Sequence, residues 1–213
     1  MRLLAPALAL AALALAGCGA GASVTETRNV APFDRIEVSS SIDVEMVPGD
    51  ADTVRVIAGE HVIDHVETSS SDGVLHLFVR DRGLVIGPDP YDDARVEVSS
   101  GALRDVRIDG SSDLSLGRID AHDLSIEING SGDVDANGSV ENLTASIEGS
   151  GDADLRDLAA RTATVSIEGS GNAKVNVKDQ LDVSVEGSGD VSYRGNPRVS
   201  QQVSGSGDVR AAD

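Results

Sequence analysis

Tryptophan is absent from this chain of 213 residues, and aromatic residues make up only 2% of it. Any core must be filled by Val, Ile, Leu and Ala, which suits a narrow regular interior better than a broad irregular one. Cysteine occurs once, at Cys18, so no intramolecular disulfide can brace the fold. Basic residues are scarce: 17 Lys and Arg stand against 36 Asp and Glu, a formal charge of −19. That balance argues against a nucleic-acid partner and against electrostatic attachment to anionic lipid headgroups. The sequence has neither a nucleophile elbow nor a phosphate-binding loop. Platforms for stacking sugar rings are limited to Phe33, Phe78, Tyr91 and Tyr193.

What is present begins with a leader. Met1-Arg2 gives a short positive start, Leu3 to Ala16 is an apolar run broken only by Pro6, and Leu15-Ala16-Gly17-Cys18 follows. The run is too short to span a bilayer and reads as a signal peptide over residues 1–17. Small residues just before a lone cysteine resemble the bacterial lipobox. That resemblance implies cleavage before Cys18, diacylglycerol (with palmitate-type acyl chains) on its thiol, and acylation of the new amine. Multiple acyl chains on one residue give durable membrane attachment. Gly19 follows where inner-membrane retention would favour Asp, which tilts the address towards the outer membrane of the cell envelope, facing either the periplasm or the outside. Processing removes Arg2 alone among charged side chains, leaving 16 cations against 36 anions, a formal charge of −20. Residues 18–28 read as the lipidated cysteine and a flexible tether of Gly, Ala, Ser and Thr.

Residues 29–98 read as an N-terminal β block. Ile36-Glu37-Val38, Ile42 to Val47, Thr53 to Ile57, Val74 to Val79 and Ala94 to Val98 alternate apolar and polar residues as half-buried strands do. Gly59 to Val66 is expected to form a short helical turn or tight loop. Gly87, Pro88 and Pro90 mark a longer loop.

Residues 99–213 repeat one unit, clearest in Ser146-Ile147-Glu148-Gly149-Ser150-Gly151-Asp152. The corner ends at residues 113, 133, 152, 172, 190 and 208, in steps of 20, 19, 20, 18 and 18 residues. Units that small cannot bury an apolar face alone and must stack. Aligning the copies puts Ile108, Ile128, Ile147, Ile167, Val185 and Val203 in one column. Val106, Ile126, Ala145, Val165, Val183 and Gln201 stand two residues earlier. Strand side chains alternate, so both columns face inward, and the polar column Arg107, Glu127, Ser146, Ser166, Ser184 and Gln202 faces out. The spacing predicts an all-β parallel β-helix-like solenoid with coils of 18–20 residues, two or three short strands each. It leaves open whether residues 29–98 continue the solenoid or pack on its end.

On these residues the chain resembles the GIN domain family, described as head domains of autotransporter adhesins. Phe33-Asp34-Arg35-Ile36-Glu37-Val38-Ser39, Ile42-Asp43-Val44 and the recurrent Gly-Ser-Gly-Asp corners carry the resemblance across Val30 to Val209. It implies a right-handed parallel β-helix-like solenoid and a binding role, and it offers no catalytic residues to carry over.

The corner acids Asp113, Asp133, Asp152, Asp190 and Asp208, with a second column at Glu148, Glu168 and Glu186, raise the question of calcium. The nine-residue step of calcium-binding repeats is absent, Asn172 and Ser204 interrupt the columns, and Asp caps turn backbone readily, so the corner acids are expected to cap their own turns. His61 and His65, four apart near Asp64 and His76, lack a metal-binding motif. The sequence therefore predicts no catalytic, cofactor or metal residues, and Cys18 is its single site residue. The expected function is a lipid-anchored, non-enzymatic envelope solenoid for binding, adhesion or scaffolding, with an envelope protein or glycan as partner. The alternatives are a carbohydrate-active enzyme on a β-helix and a calcium-dependent binding module. A free last coil predicts self-association through the solenoid end.

Overall fold

The computed structural model describes residues 23–49, 51–80, 91 and 93–212. The expectations for the leader, Cys18 and the Gly87-Pro88-Pro90 loop lie outside those residues.

The first eight strands are β1 (Ser23–Arg28), β2 (Arg35–Ser39), β3 (Asp43–Met46), β4 (Thr53–Gly59), β5 (Val66–Ser71), β6 (Val74–Val79), β7 (Arg95–Ser99) and β8 (Asp105–Gly110). A single 3₁₀ turn, Ile63–His65, precedes β5. Period-two alternation decides which side is buried. In β2 the apolar Ile36 and Val38 are inside, and in β4 the same holds for Val54, Val56 and Ala58. β2 lies parallel between β6 and β8, placing Ile36 beside Leu75 and Val106, and Val38 beside Leu77 and Ile108. The N-terminal block therefore enters the same inward columns as the repeats. It is a continuation of the solenoid within one 15-stranded sheet.

Two devices close the N-terminal end. The hairpin β5–β6 pairs antiparallel on one leg, and β1–β4–β7 pair antiparallel on another. This corrects the tether reading for Ser23–Arg28, which forms a full six-residue ladder with β4. Val24 packs on the core, Arg28 pairs with Glu26 at 2.9 Å, and its Nη2 donates to the Ile63 carbonyl at 3.1 Å. Ser and Thr populate spacers and strands alike, so composition misses a strand whose partner is supplied 30 residues later.

Beyond β8 the chain winds through β9 (Leu114–Gly130), β10 (Val134–Gly149), β11 (Ala153–Gly169) and β12 (Ala173–Gly187). Each is a single strand of 15 to 17 residues. The expected two or three short strands per coil are thus one long strand that bends at bulges, where the register shifts and the ladder is locally interrupted. The last coil is divided into β13 (Val191–Arg194), β14 (Arg198–Gly205) and β15 (Val209–Ala211).

All these pairings are parallel and in register. Ile108, Ile128, Ile147, Ile167, Val185 and Val203 align as the sequence predicts, as do Leu114, Val134, Ala153, Ala173, Val191 and Val209 after the corner. Every interior member of both columns is buried; Val203, in the last coil, is 38% exposed. Burying one such side chain contributes about 1.5–3 kcal/mol, so the stacked columns form the main stabilising element.

The corner glycines follow from the stacking. A Cβ on Gly151 would lie 2.1 Å from the Gly132 carbonyl oxygen of the coil below. Gly149 adds a φ of +131°, which disfavours an L side chain.

Candidate binding face

The corner acids form a ladder of side chain to backbone bonds. The amide of Asp133 donates to Asp113 Oδ1 at 3.1 Å, Asp152 to Asp133 Oδ1 at 2.8 Å, and Asn172 to Asp152 Oδ1 at 2.8 Å. Asp190 donates to Asn172 Oδ1 and Asp208 to Asp190 Oδ1. The series starts earlier than the repeat, since the Asp113 amide donates to Asp43 Oδ1. Each side chain caps the corner of the next coil, where the sequence suggested that it would cap its own. Asn172 does not interrupt the ladder. Its Oδ1 accepts as a carboxylate would, and its Nδ2 donates to Asp152 at 2.9 Å. What the position requires is an acceptor oxygen on a short side chain, and Asn and Asp both supply it.

With the corner acids engaged in the backbone, the exposed long leg before each corner offers the broadest regular surface. Three outward columns cross it. Nearest the corner stand Asn129, Glu148, Glu168 and Glu186; two residues earlier, Glu127, Ser146, Ser166 and Ser184; two earlier again, Ser125, Thr144, Thr164 and Asp182. Strand geometry sets the lattice at about 4.8 Å between coils and about 6.6 Å between columns. The backbone ladder fixes these positions, so the hydroxyls and carboxylates form a preorganised array.

The array is graded along the axis. At its N-terminal end basic and acidic side chains alternate up the column: His76 Nδ1 is 3.2 Å from Glu37, and Arg107 donates to Glu127 at 2.8 Å. Arg107 also donates to Asp109, and Asn129 Nδ2 bridges Asp109 at 2.8 Å and Glu127 at 3.1 Å. These hydrogen bonds, that from Arg107 foremost, hold the Asp109 carboxyl below its ordinary range. Asp105, on the neighbouring column, is pushed up chiefly by burial. Further along, the face becomes hydroxyl-rich, edged by Glu148, Glu168 and Glu186, which are exposed and have no cationic partner among the described residues.

The other sequence candidates are dispersed. His65 lies in the 3₁₀ turn, and His76 faces Glu37. Among the described residues no group of three or more His, Cys, Asp or Glu is placed to hold a metal ion. The acids of the long leg recur at one structural position per coil on an open surface. A glycosidase pair instead needs two carboxyl groups in a cleft with separate roles. The Asp43 start of the ladder escaped the sequence reading because Asp43 lacks the Gly-Ser-Gly corner; its Ser39-Ser40-Ser41 approach was the available signal.

A family model described as "Putative auto-transporter adhesin, head GIN domain" matches residues 32–197. No curated protein matches the chain. Among solved structures, a "putative adhesin" from Bacteroides fragilis is similar at a TM-score of 0.71 and 18% identity, covering 89% of this chain and 97% of its own. A "putative lipid binding protein" from Parabacteroides distasonis gives a TM-score of 0.56 at 20% identity, with 90% of this chain and 97% of its own covered. A "putative adhesin" from Parabacteroides merdae gives 0.51 at 18% identity, with 90% and 96% covered. At these identities the likeness is one of fold.

Proposed function

The chain belongs to the GIN domain family of auto-transporter adhesin heads, and from that premise we propose that it is a lipid-anchored envelope protein that binds through the long leg of its solenoid. The observation that carries the reading is the array itself: three exposed polar columns held in register by an unbroken parallel ladder. Such a surface recognises a partner by repetition, since each contact made on one coil is available again on the next. Hydroxyls in the middle and unpaired carboxylates at the edge suit a hydroxyl- or amine-bearing partner, an envelope glycan or a basic protein segment. The adhesin description of the family and of two solved neighbours supports binding over catalysis.

The anchor belongs to the same reading. Cys18 accepts the lipid, the protein is retained at the outer membrane, and the four residues 19–22 separate the cysteine from β1. Metabolic labelling with palmitate followed by membrane fractionation tests this part; Cys18→Ala is expected to lose both label and membrane association. The binding part is tested by probing envelope glycans and envelope proteins with the full chain and with Thr164→Arg, which plants a bulky cation mid-face. A partner retained by the wild type and lost by the variant supports the reading. Equal retention by both moves the site elsewhere.

A further inference from the structure

At the bend between β3 and β9, away from the long leg, a groove of about 430 Å³ is lined by Met46, Pro48, Gly49, Ser100, Arg118 and Asp120 among others. Two features mark it. First, Arg118 adopts φ +53°, one of only two non-glycine residues with positive φ among the described residues. The other, Asp72, sits with Gly73 in the tight turn of the β5–β6 hairpin, where such a conformation is ordinary. Arg118 has no such excuse. It belongs to a bulge at which Gly117 and Arg118 face the single residue Asn137 of the next coil, and Asn137 Oδ1 holds its amide at 2.9 Å. Bulges re-aim side chains, and backbone strain kept in place by a neighbouring coil points to a use.

Second, among the described residues the guanidinium of Arg118, like those of Arg194 and Arg198, has neither an ion pair nor a hydrogen bond, although acids outnumber bases two to one. Arg28, Arg35, Arg55, Arg80, Arg104 and Arg107 are paired.

The planar fork of Arg matches a carboxylate. Asp120 at the same mouth disfavours a more highly charged phosphate and accepts hydrogen bonds from hydroxyls. We propose that this groove binds an acidic saccharide, its carboxylate on Arg118 and its ring hydroxyls on Asp120. The proposal deepens the binding reading by adding a second, small-ligand site, and rests on that reading only in treating the protein as a binder.

The test is a titration of the full chain with D-glucuronate, D-glucose and acetate, followed by amide chemical shifts. Saturable glucuronate shifts around Gly49, Gly101 and Arg118 are expected, with glucose and acetate at least tenfold weaker. Arg118→Gln should weaken glucuronate at least tenfold. Arg118→Gly should lose binding yet raise the melting temperature, because the positive φ is then relaxed. No saturation by glucuronate, acetate binding as tightly as glucuronate, unchanged affinity in Arg118→Gln, or a lower melting temperature in Arg118→Gly would each overturn the proposal. Thr164→Arg, on the long leg, should leave this titration unchanged, so failure of the groove and failure of the long-leg reading are seen separately.

Discussion

Asp152 accepts two hydrogen bonds from Asn172, through the backbone amide and through Nδ2. Removing the acceptor strands a backbone N–H between coils, so Asp152→Ala should cost about 1–3 kcal/mol in urea unfolding. Asp152→Asn keeps Oδ1 and should cost less than half of that. Equal losses would mean that charge is what the position needs. The same comparison explains why the ladder was only half legible in the sequence. Reading the column by charge made Asn172 a defect, whereas the geometry uses an oxygen that both residues share. A different carboxylate governs acid behaviour. Asp109 is held below its ordinary range by the Arg107 hydrogen bond first and that of Asn129 next. A group whose folded pKa is depressed stabilises the fold above its unfolded pKa and loses that contribution as pH falls through the folded value. The urea midpoint should therefore decline below the ordinary carboxylate range, and Asp109→Asn should flatten part of the decline while lowering stability at neutral pH.

Strands are where the sequence was most legible. The inward columns were correct up to the last coil, where Gln201 and Val203 are exposed, because the ladder is parallel and in register, so alignment of repeats is also alignment in space. Two features were hidden. The long ladders of β9 to β12 read as shorter strands because Gly and Asn at the bends look like breaks, while the structure absorbs them as bulges. β1 was hidden because its cover is earned by position: without it the apolar, hydrogen-bonding edge of β4 would face water. Hydrogen exchange should accordingly show the amides of Ser23–Arg28 slowed about tenfold or more against an unstructured tether. Val24→Asp, which puts a charge against the core on that strand, should cost about 1–2 kcal/mol and abolish the protection. Fast exchange of these amides in the wild type would return the segment to the tether.

Over the whole molecule the two ends differ. The N-terminal end is closed by antiparallel strands, whereas β14 pairs only with β12 and β15 only with β13. Val203 is the exposed large hydrophobic residue among those described, and it lies on that open edge. Concentration-dependent self-association is the expected outcome, seen as a rising weight-average mass in sedimentation equilibrium. Val203→Lys should suppress it by placing a charge on the edge. A wild-type monomer at every concentration would refute the expectation. Function was the least legible level, because a repeat explains its own acids and hydroxyls structurally before any ligand is invoked. The groove at Arg118 escaped notice for the opposite reason: it is built from residues that do not repeat, far apart in the chain, and its marks are a dihedral angle and an unpaired guanidinium.

The Asp ladder has one more consequence. Each corner both gives a cap to its successor and takes one from its predecessor, so a whole unit such as Ala153–Asn172 can be duplicated or excised with every bond at the splice remade by an equivalent residue. Length becomes an editable quantity in this architecture, counted in increments of about 4.8 Å. Lineages that gain or lose a coil would alter the length of the solenoid without redesigning either end.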